Sequence, residues 1–541
     1  MADKALVFML TGINNKWTQP IACFFTKSGV KTYQLADLIV KIINVIHTKT
    51  EFRVLLTTSD QGGPNRAAVR YLTLKSNFER NDFQYLVNSN SILHNFDACH
   101  LIKCLRNAMI DKDIQDDSGI ARWNDIEMLY AKDGLSVDSK ITKLTELHIH
   151  PQGKMKMKVS LATQVFSNSV YSAMTLVNNF GFVNWGGTAS FVKFCDTLFD
   201  SLNSKCKETK PMRRPLTDNS EHMKFWAEAK VRLNDLKFFK NGKEVHAPPS
   251  VQNFIVTIRN IERLWEKLKT LGFKYFATRS IQQDPLENFF GKIRSLCGDN
   301  TKPTLIQFLA AYKACMLHSK IPNSDKTNCE SANTILLTTN VSSTTLISSA
   351  SVNLNESPTT SNFQTEQSFL QSLPTQKPST LVIKELAQIR INTAAYIAGF
   401  ICRKLLSTKC VTCREALLSD KVTDIHAYIV LKDMGNKLMY PSEVFVAEII
   451  YIKKMIFQKI PDYISGNLLD IDLNINLEFL ACEEHRDNVI RLTKYTLIAV
   501  MGKHFVKLVN KKLHKRDLRE NIVVDTYIKN FAPTVYEHKH H

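Results

Sequence analysis

Two acidic residues stand where a polypeptide can hold carboxylates rigidly. Asp60 follows the apolar run of residues 52–58, and the glycines at 62 and 63 let the chain turn sharply after it. Glu287 lies in QDPLENFFGKIR, which predicts a helix with Asp284 as N-cap and Glu287 at position N3. Two carboxylates held on a strand end and a helix suit a two-metal phosphoryl-transfer centre.

The same two residues also have interpretations without chemistry. Asp-Pro-x-Glu is a capping box, in which Glu287 only bonds back to the helix cap. Asp60 in front of Gln-Gly-Gly can serve as a turn residue. Spacing and composition alone leave the catalytic and the structural interpretations open.

A second group of chemically capable residues lies near the C-terminus. Cys410 and Cys413 form a CxxC pair, and Cys482 and His485 form a CxxH pair. Together they are the ligand set of a tetrahedral zinc site, which would be structural because protein atoms fill all four positions. The long gap between the pairs makes the spacing unspecific, and two buried thiol pairs are the alternative.

A third candidate is the segment that begins at Asp97. It predicts a capped helix with Lys103 and Arg106 on one side. These two cations would contact DNA phosphates, or they would form a solvated face. His100, in the same segment, is interpreted as a structural residue.

The elements that must position these residues begin as an α/β pattern. Ala5–Leu10 and Ile21–Phe25 predict strands, Gln34–His47 predicts a helix, and the run at 52–58 predicts a buried strand. Strand, strand, helix, strand is typical of an α/β domain.

Further along, the pattern changes twice. From about Asp97 to Tyr275 helices with charged faces predominate, including Val159–Val170 and Pro249–Leu271. Ser324–Ser379 is rich in Ser, Thr, Asn and Gln, which predicts a disordered linker. Beyond it the chain is helix-rich and basic, most of all in Leu508–Arg519.

Length and charge narrow the class of protein. The chain has 541 residues, enough for several domains, and 70 Lys and Arg against 51 Asp and Glu give it a net charge of +19. Such an excess favours a polyanionic partner, of which nucleic acid is the commonest. An anionic membrane surface is the alternative, but no apolar stretch is long enough to span a bilayer. The sparse cysteines and the lack of a signal peptide indicate a reducing compartment.

Five segments resemble successive blocks of the P-element transposase family, which includes the THAP-domain transposases. They are TTSDQGGPNRAA, FDACHLIKCLRNAM, KMKVSLATQVFS, QDPLENFFGKIRS and AAYIAGFICRKLL, in the family's order. The resemblance implies an α/β ribonuclease-H-like core interrupted by a mainly α-helical GTP-binding insertion, plus a helix-rich C-terminal region. It implies DNA cutting and strand transfer with Mg²⁺ or Mn²⁺, and it matches Asp60 to the second catalytic carboxylate and Glu287 to the third.

The resemblance also predicts a division of the chain. The core would comprise residues 1–96 and 226–320, with the GTP-binding insertion at 97–225. Residues 321–380 would form the disordered linker, and residues 381–541 the basic helical C-terminal domain with the zinc site.

GTP binding is predicted only from the resemblance, because the chain has no GxxxxGKS phosphate loop. Lysines and a hydroxyl would contact phosphates, Phe199 would stack on the base, and Asp200 would accept guanine N–H groups. Asp196 replaces an amide that is frequent in the family, and an apolar helix face is the alternative for Phe199. In the family GTP is a binding cofactor and is not hydrolysed. The matched positions are Lys143, Lys158, Val159, Ser167, Asp196, Phe199, Asp200 and Asp284.

The family's first catalytic Asp, its THAP zinc module and its coiled coil all precede the segment ALVFML, and Met1 begins after them. We therefore expect a truncated transposase derivative that binds DNA and GTP but does not cut DNA as given. The alternatives are a domesticated, non-catalytic DNA-binding regulator or repressor of transposition, and a decaying product without function. We also expect transposon-end and target DNA as partners, a homo-oligomer, a nuclear location and no membrane association.

Overall fold

The computed structural model describes residues 2–13, 17–135, 141–181, 183–317, 335–336, 380–405, 410–433, 438–459, 475 and 477–513. Apart from Ile335–Leu336, the predicted linker Ser324–Ser379 lies outside these residues. The last part of the basic segment Leu508–Arg519 lies outside them as well.

The N-terminal part has the predicted α/β order. Its elements are β1 (Lys4–Thr11), β2 (Trp17–Thr26), α1 (Thr32–Lys49), β3 (Leu56–Ser59), α2 (Gly63–Lys75), β4 (Gln84–Val87) and β5 (Asn90–Phe96). β1 and β2 pair antiparallel, and β10 (Ile335–Leu336) adds to β2 in parallel. The helix predicted at Gln34–His47 is confirmed as the centre of α1, whose apolar stripe buries Leu35, Ile43 and Ile46.

A second small sheet has the strand order β3-β5-β4. β3 and β5 are parallel, with Ser59 opposite Phe96. Asp60 and Asp97 therefore leave the sheet at the same edge, on strands about 4.8 Å apart. The backbone N–H of Asp97 also donates to the carbonyl of Ser59 over 3.0 Å, which fixes this register.

The following part is mostly helical. Its elements are α3 (Ala98–Asp111), β6 (Asp113–Asp116), β7 (Gly119–Ala121), α4 (Trp123–Leu135), α5 (Glu146–Ile149), α6 (Val159–Val165), α7 (Asn168–Asn179), α8 (Gly186–Leu202), α9 (His222–Asp235), β8 (Lys237–Lys240) and β9 (Lys243–Val245). Two expectations need correction. The helix predicted over Val159–Val170 is broken, because the hydroxyl of Ser167 caps α7 instead.

The other correction concerns the boundary expected between residues 225 and 226. α9 runs across it without interruption, and β8 pairs antiparallel with β6 in a sheet of order β7-β6-β8-β9. Residues 237–245 are thus part of the sheet that begins at Asp113. The structure does not divide the chain at residue 225.

Three helices return the chain to the core: α10 (Pro249–Thr270), α11 (Asp284–Leu296) and α12 (Leu305–Leu317). The amide of Asn260 on α10 is buried and donates to the carbonyls of Phe83 and His94. These bonds fix α10 against the β3-β5-β4 sheet. α11 packs its Phe289 and Ile293 with β1 and α12 in a separate small apolar cluster.

The C-terminal part forms its own helical core. Its helices are α13 (Thr380–Leu405), α14 (Val411–Leu417), α15 (Ala427–Lys432), α16 (Glu443–Lys459) and α17 (Glu483–Leu513). Their buried residues include Ile401, Phe445, Ile449 and Leu497. None of the helices in the described ranges combines the length and apolar character needed to cross a bilayer.

Candidate active site, nucleotide region and metal centre

The carboxylate of Asp60 is held by its own turn. Its Oδ1 accepts a hydrogen bond from the backbone N–H of Gly62 at 2.9 Å and from the Asn65 amide at 2.6 Å. A Cβ at position 62 would come within 2.9 Å of the same oxygen, so any other residue there would displace the carboxylate. The second oxygen, Oδ2, accepts no hydrogen bond from the described residues and is available to a ligand.

Glu287 is held from a different element. Its Oε1 lies 2.7 Å from Nε2 of His100, which is on the first turn of α3. Burial lowers the pKa of His100, but the bond to Glu287 and the charge of Asp97 outweigh it, so the pKa lies above its usual value. The imidazolium form that pairs with a carboxylate is therefore favoured.

The start of α11 and the role of Glu287 both differ from the capping-box interpretation. Gln283, one residue earlier than predicted, is the N-cap, and the Glu287 N–H donates to the Gln283 carbonyl. The Glu287 carboxylate reaches across to His100 on another helix. The interpretation of Glu287 as a simple capping-box residue is therefore wrong.

The segment before α11 is fastened to the edge of the β3–β5 sheet. Thr58 donates to the carbonyl of Ile281 at 2.8 Å, and the backbone N–H of Gln283 donates to Asp97 at 3.0 Å. Asp97 also accepts from the His100 backbone N–H and thereby caps α3. These bonds bring the two helix starts and the strand end that carry Asp60 and Glu287 into one neighbourhood.

Cys104 gives an independent sign of this convergence. Burial raises the pKa of its thiol, and the charge of Asp60 adds to the rise. Cys104 is four residues after His100, one turn further along the same face of α3. Asp60 and Glu287 therefore approach neighbouring turns of one helix.

Lys103 and Arg106 do not form the solvent-facing side that was expected. Only 4% of Lys103 and 0% of Arg106 is exposed. The guanidinium of Arg106 donates to the carbonyl of Lys156, and burial lowers its pKa to about 10. The prediction of exposed cations on α3 is wrong, because α3 packs against α6, α8 and α10. DNA phosphates cannot reach these side chains.

Part of the predicted GTP set does come together, at the end of α8. The Asp200 carboxylate lies 3.8 Å from Nζ of Lys210 and 3.7 Å from Nε of Arg213. Burial, followed by the charge of Asp196, raises the pKa of Asp200 to about 6. Oδ2 of Asp196 is buried and has no hydrogen-bond partner among the described residues.

The start of α7 adjoins the same place. Ser167 caps this helix, and the next residue, Asn168, accepts from Lys193 of α8 at 2.8 Å. The charges of Asp196 and Asp200 both act on Lys193. Ser167 and the two carboxylates are therefore neighbours.

The remaining predicted GTP residues differ in their surroundings. Phe199 is only partly buried, whereas Phe191 and Phe194 are core residues, so its ring retains accessible surface. Lys158 is exposed at the N-cap of α6, next to the buried side chain of Val159. No hydrogen bond or ion pair of the described residues joins Lys158 to Asp200.

Asp284 connects the end of α8, where Asp200 lies, to α11. It pairs with Arg279 at 2.5 Å, and Arg279 donates to the side chain of Asn203 just past α8. The Asn203 N–H in turn donates to the carbonyl of Asp200. A short polar chain thus runs from Asp200 to the first turn of the helix that carries Glu287.

The C-terminal Cys and His pairs meet in space. One ligand atom from each of Cys410, Cys413, Cys482 and His485 lies within 4.8 Å of the other three. Sγ of Cys410 is 3.8 Å from Sγ of Cys482, which in turn is 3.3 Å from Nδ1 of His485. Zn–S bonds of about 2.3 Å in a tetrahedron place two sulfur atoms about 3.8 Å apart. The four residues therefore fit a zinc ion.

Comparisons with known proteins agree with this architecture. Residues 1–73 match the family model "TNP-like, RNase H N-terminal domain", and residues 281–313 match "TNP-like, RNase H C-terminal domain". Between them, residues 99–215 match "TNP-like, GTP-binding insertion domain". Residues 384–515 match "DNA transposase THAP9, C-terminal domain".

The chain belongs to the P-element-type DNA transposase family. Its ribonuclease-H-like core is interrupted by the family's GTP-binding insertion, as the resemblance predicted. The human protein "DNA transposase THAP9" is 28% identical over 331 residues, covering 58% of this chain. "Transposable element P transposase" of Drosophila melanogaster is 23% identical over 555 residues, covering 96% of this chain.

This P-element-type chain spans 36% of the length of the human relative and 65% of the length of the fly relative. A solved structure, "Drosophila P element transposase strand transfer complex", aligns with a TM-score of 0.49 and 24% identity over 57% of this chain and 69% of that chain.

Sequence reasoning missed the roles of Asp97 and His100. His100 was interpreted as structural without a partner, whereas it contacts Glu287, 187 residues away. Asp97 was seen only as a cap, yet it also holds the turn before α11. The one local signal was their position at the start of a helix that follows a strand.

Proposed function

We propose that this chain is the body of a DNA transposase that binds DNA and a guanine nucleotide, with Asp60 and Glu287 as two metal-binding carboxylates of its DNA-cleavage centre. The observation that supports this most directly is the contact of Glu287 with His100 on the first turn of α3, a helix that starts where β5 ends beside the strand that leads to Asp60. The parallel strands and the fastened turn before α11 make this arrangement rigid.

The surroundings of the two carboxylates fit Mg²⁺ or Mn²⁺, since hard cations take oxygen ligands. When bound, such ions polarise phosphate oxygens and lower the pKa of an attacking water or DNA 3′-hydroxyl. The protein's part is to hold its own groups in place. Gly62 and Asn65 fix one oxygen of Asp60, and His100 orients Glu287.

DNA is the partner that the charge and the family favour. A net charge of +19 attracts a polyanion, and binding through phosphates releases counterions, so affinity falls as salt rises. Because Lys103 and Arg106 are buried, other cations make these contacts. A nuclear location and a homo-oligomer belong to the same proposal.

The nucleotide is GTP, bound at the end of α8 and the start of α7. Asp200 accepts the guanine N–H groups, Phe199 stacks on the base, and Ser167 lies beside them. Lys143 supplies charge for the phosphates, and Asp196, Lys158, Val159 and Asp284 complete the proposed surroundings. The nucleotide stabilises the assembled protein and is not hydrolysed.

The Cys410–Cys413–Cys482–His485 cluster holds a structural zinc ion. It ties the start of α14 to the start of α17, two helices that are far apart in sequence. Metal content measured by atomic emission on the purified chain should be about one zinc per chain. Cys413→Ser should lose it, whereas the exposed Cys206→Ser should retain it. A metal-free chain with a Cys410–Cys482 disulfide would contradict this assignment.

The proposed function is tested with the purified chain, a fluorescent DNA duplex and a supercoiled plasmid. Binding should weaken steeply as salt is raised from 50 to about 200 mM. Nicking of the plasmid with Mn²⁺ that both Asp60→Asn and Glu287→Gln abolish, while they retain DNA binding, would overturn the expectation that the chain does not cut DNA and would assign cleavage to these two carboxylates. Salt-sensitive binding without nicking by the unchanged chain would favour the non-catalytic regulator, and no DNA binding at all would contradict both.

A further inference from the structure

Lys432 is a lysine without an acidic partner at the end of α15. It is only partly exposed, and its Nζ lies 4.4 Å from the ring centroid of Tyr396 and 5.2 Å from that of Tyr428. Within the described part of the chain it makes no hydrogen bond and no ion pair. A half-buried ammonium in this position retains its capacity to donate to an anion.

The charges that act on Lys432 have the same sign as its own. Burial, followed by the charges of Lys143 and Lys210, lowers the pKa of Lys432 to about 8. Three converging lysines repel one another and are stabilised together by a polyanion, to which ammonium groups form strong charge-assisted hydrogen bonds. The cluster therefore has the character of a phosphate site.

The position of Lys432 is fixed by contacts between the C-terminal part and the insertion. Ser172 of α7 donates to the carbonyl of Leu431 at 3.0 Å, and the hydroxyl of Tyr428 donates to the carbonyl of Ile141 at 2.9 Å. These bonds place Lys432 between α7 and the segment that contains Lys143.

Lys210 links this cluster to the base-recognition carboxylate, because its ammonium is 3.8 Å from Asp200. The charge of Lys210 acts on Lys432 as well, so Lys210 is common to the surroundings of Asp200 and Lys432. Guanine at Asp200 would direct its phosphates along Lys210 toward Lys143 and Lys432.

We infer that Lys432 of the C-terminal part is a phosphate contact of the nucleotide site, so that the site is built from two regions of the chain. This inference rests on the proposed GTP site and adds to it a residue from the C-terminal part of the chain. GTP would then strengthen the contact between α15 and α7, because its phosphates neutralise the three lysines. Guanosine, which has no phosphates, would not.

The first test compares affinities by isothermal titration of the full chain with GTP and with guanosine. Lys432→Met should weaken GTP binding at least about tenfold and leave guanosine binding unchanged, because the substitution removes only a contact to the phosphates. Lys432→Arg should recover part of the affinity, and Lys421→Met, an exposed lysine of the same region, should behave as the unchanged chain.

Three results would overturn the inference: full GTP affinity in Lys432→Met, an equal loss for GTP and guanosine, or a loss of affinity for duplex DNA in place of GTP. If the unchanged chain binds no guanine nucleotide, the proposed GTP site itself fails. Hydrogen exchange on the unchanged chain gives a test without substitution. Residues 427–432 should be protected by GTP and not by guanosine, and equal protection by both would also overturn the inference.

Discussion

His100 and Glu287 lie 2.7 Å apart, Nε2 against Oε1, across 187 residues of sequence. A histidine that donates to a metal-binding carboxylate fixes the direction of that carboxylate. The pair therefore couples α3, which starts directly after β5, to the third carboxylate of the proposed centre.

Replacing His100 should weaken metal binding without unfolding the protein. His100→Gln removes the charged donor, and we expect about a 10- to 100-fold lower affinity for Mn²⁺, the range found for residues that orient metal ligands. His150→Gln, an exposed histidine on another part of the chain, is the control. Unchanged Mn²⁺ affinity in His100→Gln would show that His100 does not orient Glu287.

Gly62 and Gly63 offer a matched pair of substitutions. A Cβ at position 62 would lie 2.9 Å from Oδ1 of Asp60, whereas a Cβ at position 63 meets no atom within 4 Å. Gly62→Ala should displace the carboxylate and lower Mn²⁺ affinity at least about tenfold. Gly63→Ala should keep the affinity and stabilise the fold by about 0.4–1 kcal/mol. Equal Mn²⁺ affinity in the two variants would contradict the role given to the turn.

Asp97 should matter for stability. Its carboxylate accepts from the backbone N–H groups of His100 and Gln283 and is 2% exposed. Asp97→Ala leaves both donors without this acceptor, and we expect a loss of about 1–3 kcal/mol in the free energy of unfolding. Urea unfolding followed by circular dichroism measures it, with the exposed Asp37→Ala on α1 as control. A loss no larger than that of the control would refute the double anchoring.

The fold could be predicted further than the site. The α/β pattern and the five ordered segments identified the core and its insertion, because apolar periodicity and family motifs are local signals. The sheet of β6 to β9 was missed, since strands such as DIQD and KFFK are short and carry charges at their ends. Burial of Lys103 and Arg106 could not be foreseen, because it depends on helices distant in sequence that enclose α3. The contact of His100 with Glu287 could not be predicted for the same reason, because Glu287 is distant in sequence.

GTP affinity should depend on pH through Asp200. Its pKa is raised to about 6 by burial and by Asp196, and only the ionised carboxylate accepts from guanine. Affinity should therefore be full above pH 6 and fall as the pH drops through about 6. In the free protein the sign is reversed, because stability linked to protonated Asp200 is present below pH 3.8 and lost as the pH rises through about 6.

Asp196→Asn tests whether Asp200 is the group that titrates. Removing the neighbouring negative charge lowers the pKa of Asp200, so the loss of GTP affinity should move to lower pH. Titrations with a fluorescent GTP analogue between pH 5 and 8 measure both curves. A pH profile that does not move in Asp196→Asn would show that Asp200 is not the titrating group.

The most direct test of the central claim is Mn²⁺ binding to the full chain, followed by electron paramagnetic resonance of the free ion. If Asp60 and Glu287 share a metal centre, the unchanged chain binds Mn²⁺, and Asp60→Asn and Glu287→Gln each weaken it, with the double substitution little worse than either one. Zinc at the cysteine cluster should stay unchanged in all three variants. Mn²⁺ binding that survives both substitutions at full affinity would contradict the account.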